Sequence, residues 1–130
     1  MKRVLMIFTF ILSAMILVAV ADAALRQGMS ETDYEAAIKE IRLTLGDMRG
    51  HIDARYWPEL DTQIGRLETF FDQIELYWSD KGSESGVTFS RAAKERLAEL
   101  LSASQNQDQP GCRESIARLQ ESYEALSDVT

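Results

Sequence analysis

The chain has 130 residues, with 14 Lys and Arg against 21 Asp and Glu, a formal charge of −7, one cysteine and one histidine. That acidic balance repels nucleic-acid phosphates, so nucleic-acid binding is not expected. A lone cysteine excludes an internal disulfide, a Cys-rich zinc site and a haem held by two thioethers.

The first segment in chain order reads as an export signal. Lys2 and Arg3 give a positive start, Val4 to Val20 is apolar apart from Thr9 and Ser13, and Ala21-Asp22-Ala23 sets small residues where a signal peptidase reads. Cleavage after Ala23 divides the chain into a signal peptide, 1–23, and one domain, 24–130. Without Lys2, Arg3 and Asp22 the mature chain keeps 12 basic and 20 acidic side chains, a charge of −8. The rival reading leaves the segment uncut as an anchor, since its apolar run is near the ~17-residue lower limit for a spanning helix. The membrane is then touched only through this segment. No cysteine follows the run, so a lipid anchor on cysteine there is excluded.

Four segments carry helical periodicity. Ser30 to about Arg55 has the seam Tyr34, Ile38, Ile41, Leu45, Met48 and Ile52, stepping by four and three as packed helices do. Ser30 with Asp33 forms a capping box in which Asp replaces the usual Glu. Pro58 restarts the helix, which runs to about Trp78 with the seam Leu60, Ile64, Leu67, Phe71, Ile74 and Trp78. Ser79 to Val87 is polar, holds two glycines and reads as a loop. Thr88 to Ala103 follows, with a narrower stripe of Phe89, Ala93, Leu97, Leu100 and Leu101. After a second loop, Asp108 caps a last helix with Pro110 in its first turn and the seam Cys112, Ile116, Leu119, Tyr123 and Leu126. The expected fold class is all-α: an antiparallel up-down-up-down four-helix bundle behind an N-terminal signal peptide.

An exported chain of this size with four such helices resembles the periplasmic four-helix-bundle cytochromes, cytochrome c-prime and its b-type relatives. Arg26-Gln27-Gly28-Met29 opens the mature chain as those proteins open their first helix, "RAAKERLAELLSA" is alanine-rich like their third, and "LQESYEALS" ends the fourth where the c-type members carry C-x-x-C-H. Laid on that box, Tyr123 and Leu126 stand at the cysteine places and Ser127 at the histidine place. The resemblance thus implies the fold and the periplasm for a member without covalent haem; electron transfer is not carried over. Its b-type members hold haem between a Met near the start of helix one and a His near the end of helix four. Met29 stands near the first place, and helix four has no histidine.

Other candidate chemistry is weighed against plainer roles. Met48 and His51, three residues apart, face one way on a helix and could offer copper a soft and a nitrogen ligand, with Asp47 or Asp53 assisting. A helix-end histidine in solvent is the plainer role. Glu68, Asp72 and Glu75, like Glu95 and Glu99, could line a di-metal centre, but they lack the Glu-x-x-His that such sites need, and Arg66 and Arg96 stand near to neutralise them. Cys112 lies on the buried seam, where it acts as a small apolar side chain; its place early in a helix could instead lower its pKa and make a redox sensor. Tyr56-Trp57, Phe70, Phe71, Tyr77 and Trp78 either close the core or form a binding patch.

The sequence is therefore read as an exported, non-enzymatic binding or scaffolding bundle of the periplasm. It has no resident cofactor, an unidentified protein partner, and a homodimer as an allowed state. The alternative is a carrier of non-covalent haem or copper through Met29, or through Met48 and His51.

Overall fold

The computed structural model describes residues 28–129, so the signal segment 1–23 and its cleavage point lie outside the described residues. Within them the chain forms four helices: α1 (Glu31–Ala54), α2 (Trp57–Asp80), α3 (Glu84–Gln105) and α4 (Gln109–Ser127). Each helix neighbours the next and α4 returns to α1, while the diagonal pairs stay apart, which is the up-down-up-down bundle the spacing predicts. No helix among the described residues is long and apolar enough to cross a membrane.

Local chemistry sets each boundary. The Ser30 hydroxyl accepts from the Asp33 N–H at 3.1 Å, and the Asp33 carboxylate accepts from the Ser30 N–H at 3.3 Å, so the capping box forms with Asp in the Glu position. Arg55 ends α1 in the left-handed region with φ 60°, its N–H turned back to the carbonyls of His51 and Ile52. Pro58 opens α2 and Pro110 opens α4, where the missing N–H costs nothing. The Asp108 carboxylate caps α4 by accepting from the Gly111 N–H at 3.0 Å.

One boundary differs from the sequence reading. The third helix starts at Glu84 and not near Thr88, because Ser83 caps it through the Gly86 N–H at 3.2 Å. Residues 84–87 carry no apolar period of their own, yet Gly86 is buried against Trp78, and that contact extends the helix. The second helix likewise runs to Asp80, past Trp78.

The seams fill one continuous core. All six predicted seam residues of α2 and all five of α4 are buried. On α1 the buried set is Ala37, Ile41, Thr44, Leu45, Met48 and Ile52, with Tyr34 and Ile38 half-buried at one end. On α3 it is Gly86, Ser90, Ala93, Leu97, Leu100 and Ser104, with Phe89 and Leu101 only half-buried. The small residues of that α3 face let α2 and α4 approach closely, whereas α1, faced with Ile, Leu and Met, stands further from its neighbours. Two buried hydroxyls are satisfied within their own helix, Ser90 donating to the Gly86 carbonyl at 2.7 Å and Thr44 to the Glu40 carbonyl at 2.8 Å, while Ser104 donates across to the Asp61 carboxylate of α2.

Candidate functional site

The end of the bundle where α1 begins and α4 finishes is the place the cytochrome resemblance assigns to a haem. It is built from aromatic rings. Tyr34 of α1 stacks on Tyr77 of α2 with centroids 4.4 Å apart and planes 6° from parallel. Trp78 meets both rings edge-on, at 5.2 Å from Tyr34 and 5.0 Å from Tyr77. Such offset and T-shaped pairs add about 1 kcal/mol each beyond the area they bury. Tyr123 of α4 is buried and donates its hydroxyl to the Ile38 carbonyl at 3.0 Å, tying α4 to α1. Burial pushes the Tyr34 phenol up. Lys81 lies over the Tyr77 face at 4.7 Å and covers the cluster from outside. The rings therefore close the core at this end and are not an open patch; among the described residues the largely exposed aromatic is Tyr56, at the opposite end.

Tyr123 and Leu126, at the two cysteine places of the haem box, are both core residues, and Ser127 folds its hydroxyl onto the Glu124 carbonyl at 2.9 Å. Met29 is half-buried and packs on the outside of the same core. The donor set does not fit a haem held between Met29 and a histidine. His51 sits at the far end of α1, about 30 Å away at 1.5 Å per residue.

The copper pair is also separated by its surroundings. Met48 is fully buried in the core, with no exposed surface. His51 is half-buried with Nδ1 2.8 Å from the Gln63 Oε1 on α2, and its ring leans toward Tyr56. Asp53, one of the two carboxylates that could assist, is taken by Arg113, whose Nη2 lies 3.0 Å from it. Among the described residues no group of three or more His, Cys, Asp or Glu side chains stands together as a metal site.

Asp72 and Glu75 of α2 and Glu99 of α3 face basic side chains; Arg96 is a partner the sequence indicates, whereas Arg66 does not serve the α2 row. Glu75 accepts from Arg91 at 2.6 Å and from Lys94 at 2.7 Å, and Lys94 also reaches Asp72 at 3.0 Å. Arg66 instead crosses to Glu40 of α1 at 2.9 Å, and Arg96 holds Glu99 at 3.0 Å. The hydrogen bond from Lys94, with a further one from Arg91, holds the Glu75 carboxyl below the usual range. A lowered carboxyl pKa supplies stability that is present above the ordinary value, about 4.3, and is lost as pH falls through the folded value. Glu75→Gln should therefore cost about 1 kcal/mol near neutral pH and almost nothing near pH ~2, read by urea unfolding at the two pH values. An equal cost at both would show that the charge is not the source.

Cys112 is the buried side chain its seam position predicts, and not the activated thiol of the alternative. It is buried with no exposed surface, and desolvation, with the Asp108 and Asp61 carboxylates adding to it, pushes the thiol up to about 11. Its early place in α4 does not compensate. The folded value lies above the ordinary ~8.5, so its share of stability is held below that pH and lost on the way to about 11. A thiol reagent at neutral pH is expected to label Cys112 only at the rate of unfolding; rapid labelling of the folded protein would contradict this burial.

Comparison with known proteins gives no match: no family model, no curated protein and no solved structure is similar to the chain.

One feature of the site geometry is not readable from any single helix. A groove of about 220 Å³ runs between α1 and α4, lined by Arg49, Ile52 and Asp53 from one and Arg113, Ile116 and Ala117 from the other. In both helices an arginine precedes a buried isoleucine by three residues, Arg49 with Ile52 and Arg113 with Ile116. That repeated spacing is the signal that places a cation on the rim above an apolar floor.

Proposed function

We propose that this protein is an exported, non-catalytic four-helix bundle that serves as a binding or scaffolding protein of the periplasm. The observation that carries the proposal is the ring cluster of Tyr34, Tyr77, Trp78 and Tyr123, which fills the bundle end where the resemblance to the bundle cytochromes would place a cofactor. The side chains best suited to chemistry are engaged elsewhere: His51 with Gln63, Cys112 within the core. What remains for function is the surface, acidic by composition and rigidly displayed on four capped helices. Export is supported by the Lys2-Arg3 start, the apolar run and Ala21-Asp22-Ala23. The test is to produce the full chain in a Gram-negative host, recover it from the periplasmic fraction, and record its N-terminus and absorption spectrum. Our reading expects a chain beginning at Ala24 with no Soret band. A chain that keeps residues 1–23 in the membrane fraction, or a coloured product, overturns it.

A further inference from the structure

The groove between α1 and α4 combines three features. Its floor is apolar and belongs to the core, since Ile52 is 1% and Ile116 3% exposed. Its rim carries two guanidinium groups, Arg49 and Arg113. Those groups are held in place without being fully neutralised. Arg49 donates to the Gln120 Oε1 at 3.2 Å, a neutral amide oxygen, and among the described residues no carboxylate lies within ion-pair distance of it. Arg55, where α1 ends, is likewise steadied by an amide oxygen, that of Gln109 at 3.4 Å.

Lys39, Arg42 and Lys81 also have no carboxylate in ion-pair range among the described residues, but none of them lines the groove. Arg66, Arg91, Lys94, Arg96 and Arg118 each face a carboxylate at 3.0 Å or less. In a chain so rich in acid, an arginine left on an amide beside an apolar floor is a site for an anion from outside. Arg113 shares the single Asp53 carboxylate through Nε and Nη2, at 3.2 and 3.0 Å. That pair is well exposed, with 57% of the Arg113 and 66% of the Asp53 side-chain surface open, so it is weak and exchangeable. Two guanidiniums and one carboxylate leave one positive charge on the rim. The volume, about seven waters' worth at ~30 Å³ each, suits a small molecule and not a chain segment.

We propose that the α1–α4 groove binds a small amphipathic monocarboxylate, its carboxylate between Arg49 and Arg113 and its short hydrocarbon body on Ile52, Ile116 and Ala117. A guanidinium fork matches a carboxylate in two parallel hydrogen bonds, and the apolar floor removes the hydrocarbon from water. The inference stands on the groove alone and holds in whichever compartment the chain works.

The test is a titration of the folded protein with hexanoate, followed by backbone amide NMR and calorimetry, with hexanol and inorganic sulfate as parallel probes. Hexanoate should shift the amides around residues 49–53 and 113–120 and saturate. Hexanol and sulfate, each lacking one half of the recognition, should bind at least ~10-fold more weakly. Arg49→Gln should weaken hexanoate ~10-fold or more with the melting temperature unchanged. Asp53→Asn, which frees Arg113, should tighten it. Binding of hexanol equal to hexanoate, shifts located elsewhere, indifference to Arg49→Gln, weakening by Asp53→Asn, or no saturation with any probe would each overturn the proposal.

Discussion

Gly86→Ala is expected to lower the unfolding free energy by about 2 kcal/mol, although alanine is the better helix former. A Cβ built at Gly86 would stand 2.2 Å from the Trp78 Cγ and 2.6 Å from its Cδ2, inside van der Waals contact with a ring that Tyr34 and Tyr77 already hold on two sides. The indole cannot move without unstacking that cluster, so the clash outweighs the ~1 kcal/mol of helix propensity gained. Gly46, Gly50 and Gly65 give the opposite sign. They are exposed helical glycines, and a Cβ at any of them meets nothing within 4 Å. Each Gly→Ala change there should raise stability by roughly 0.5–1 kcal/mol. Urea unfolding of the four single variants checks both signs at once. Stabilisation by Gly86→Ala would mean that α3 does not lie against Trp78 in solution.

Phe71→Ala is the second large effect, expected to cost about 3–5 kcal/mol. Phe71 is the largest of the fully buried side chains and sits at the middle of α2, where its ring reaches the core from the closest-packed side of the bundle. A domain of this size is stable by only about 5–10 kcal/mol, so the variant should be near its unfolding threshold at 37 °C. Phe71→Leu, which keeps most of the volume, should cost no more than about 1.5 kcal/mol. The pair of melting curves separates lost volume from lost hydrophobicity. Equal losses would mean that the ring does not fill the centre of the core.

How much of this could be read from sequence depends on what each helix buries. In α2 and α4 the seam is made of large apolar residues at steps of three and four, and every predicted position is buried. In α3 the buried face includes Gly86, Ser90 and Ser104, which carry no hydrophobic signal, so the spacing alone starts the helix late. Those small residues are inside because neighbouring helices come close, a property of the pairing and not of the segment. The same holds for the ion pairs. Glu75 had Arg and Lys available on several helices, and only the packing of α2 on α3 selects Arg91 and Lys94. The aromatic end was partly legible, since the periodicity puts Trp78 and Tyr123 on seams, but the stacking of Tyr34 on Tyr77 needs the antiparallel register of α1 and α2. The α1–α4 groove joins residues some sixty positions apart, such as Asp53 and Arg113, and no local pattern announces it beyond the arginine three places before each isoleucine.

The central claim is that interlocked rings occupy the end of the bundle where the cytochrome resemblance would place a haem. Titrating ferric haem into the folded protein tests it most directly. We predict the spectrum of free haem at every ratio, with the near-ultraviolet circular dichroism of the Tyr34–Tyr77–Trp78 cluster unchanged. A shifted Soret band that saturates at one haem per chain, together with loss of that aromatic signal, would contradict it.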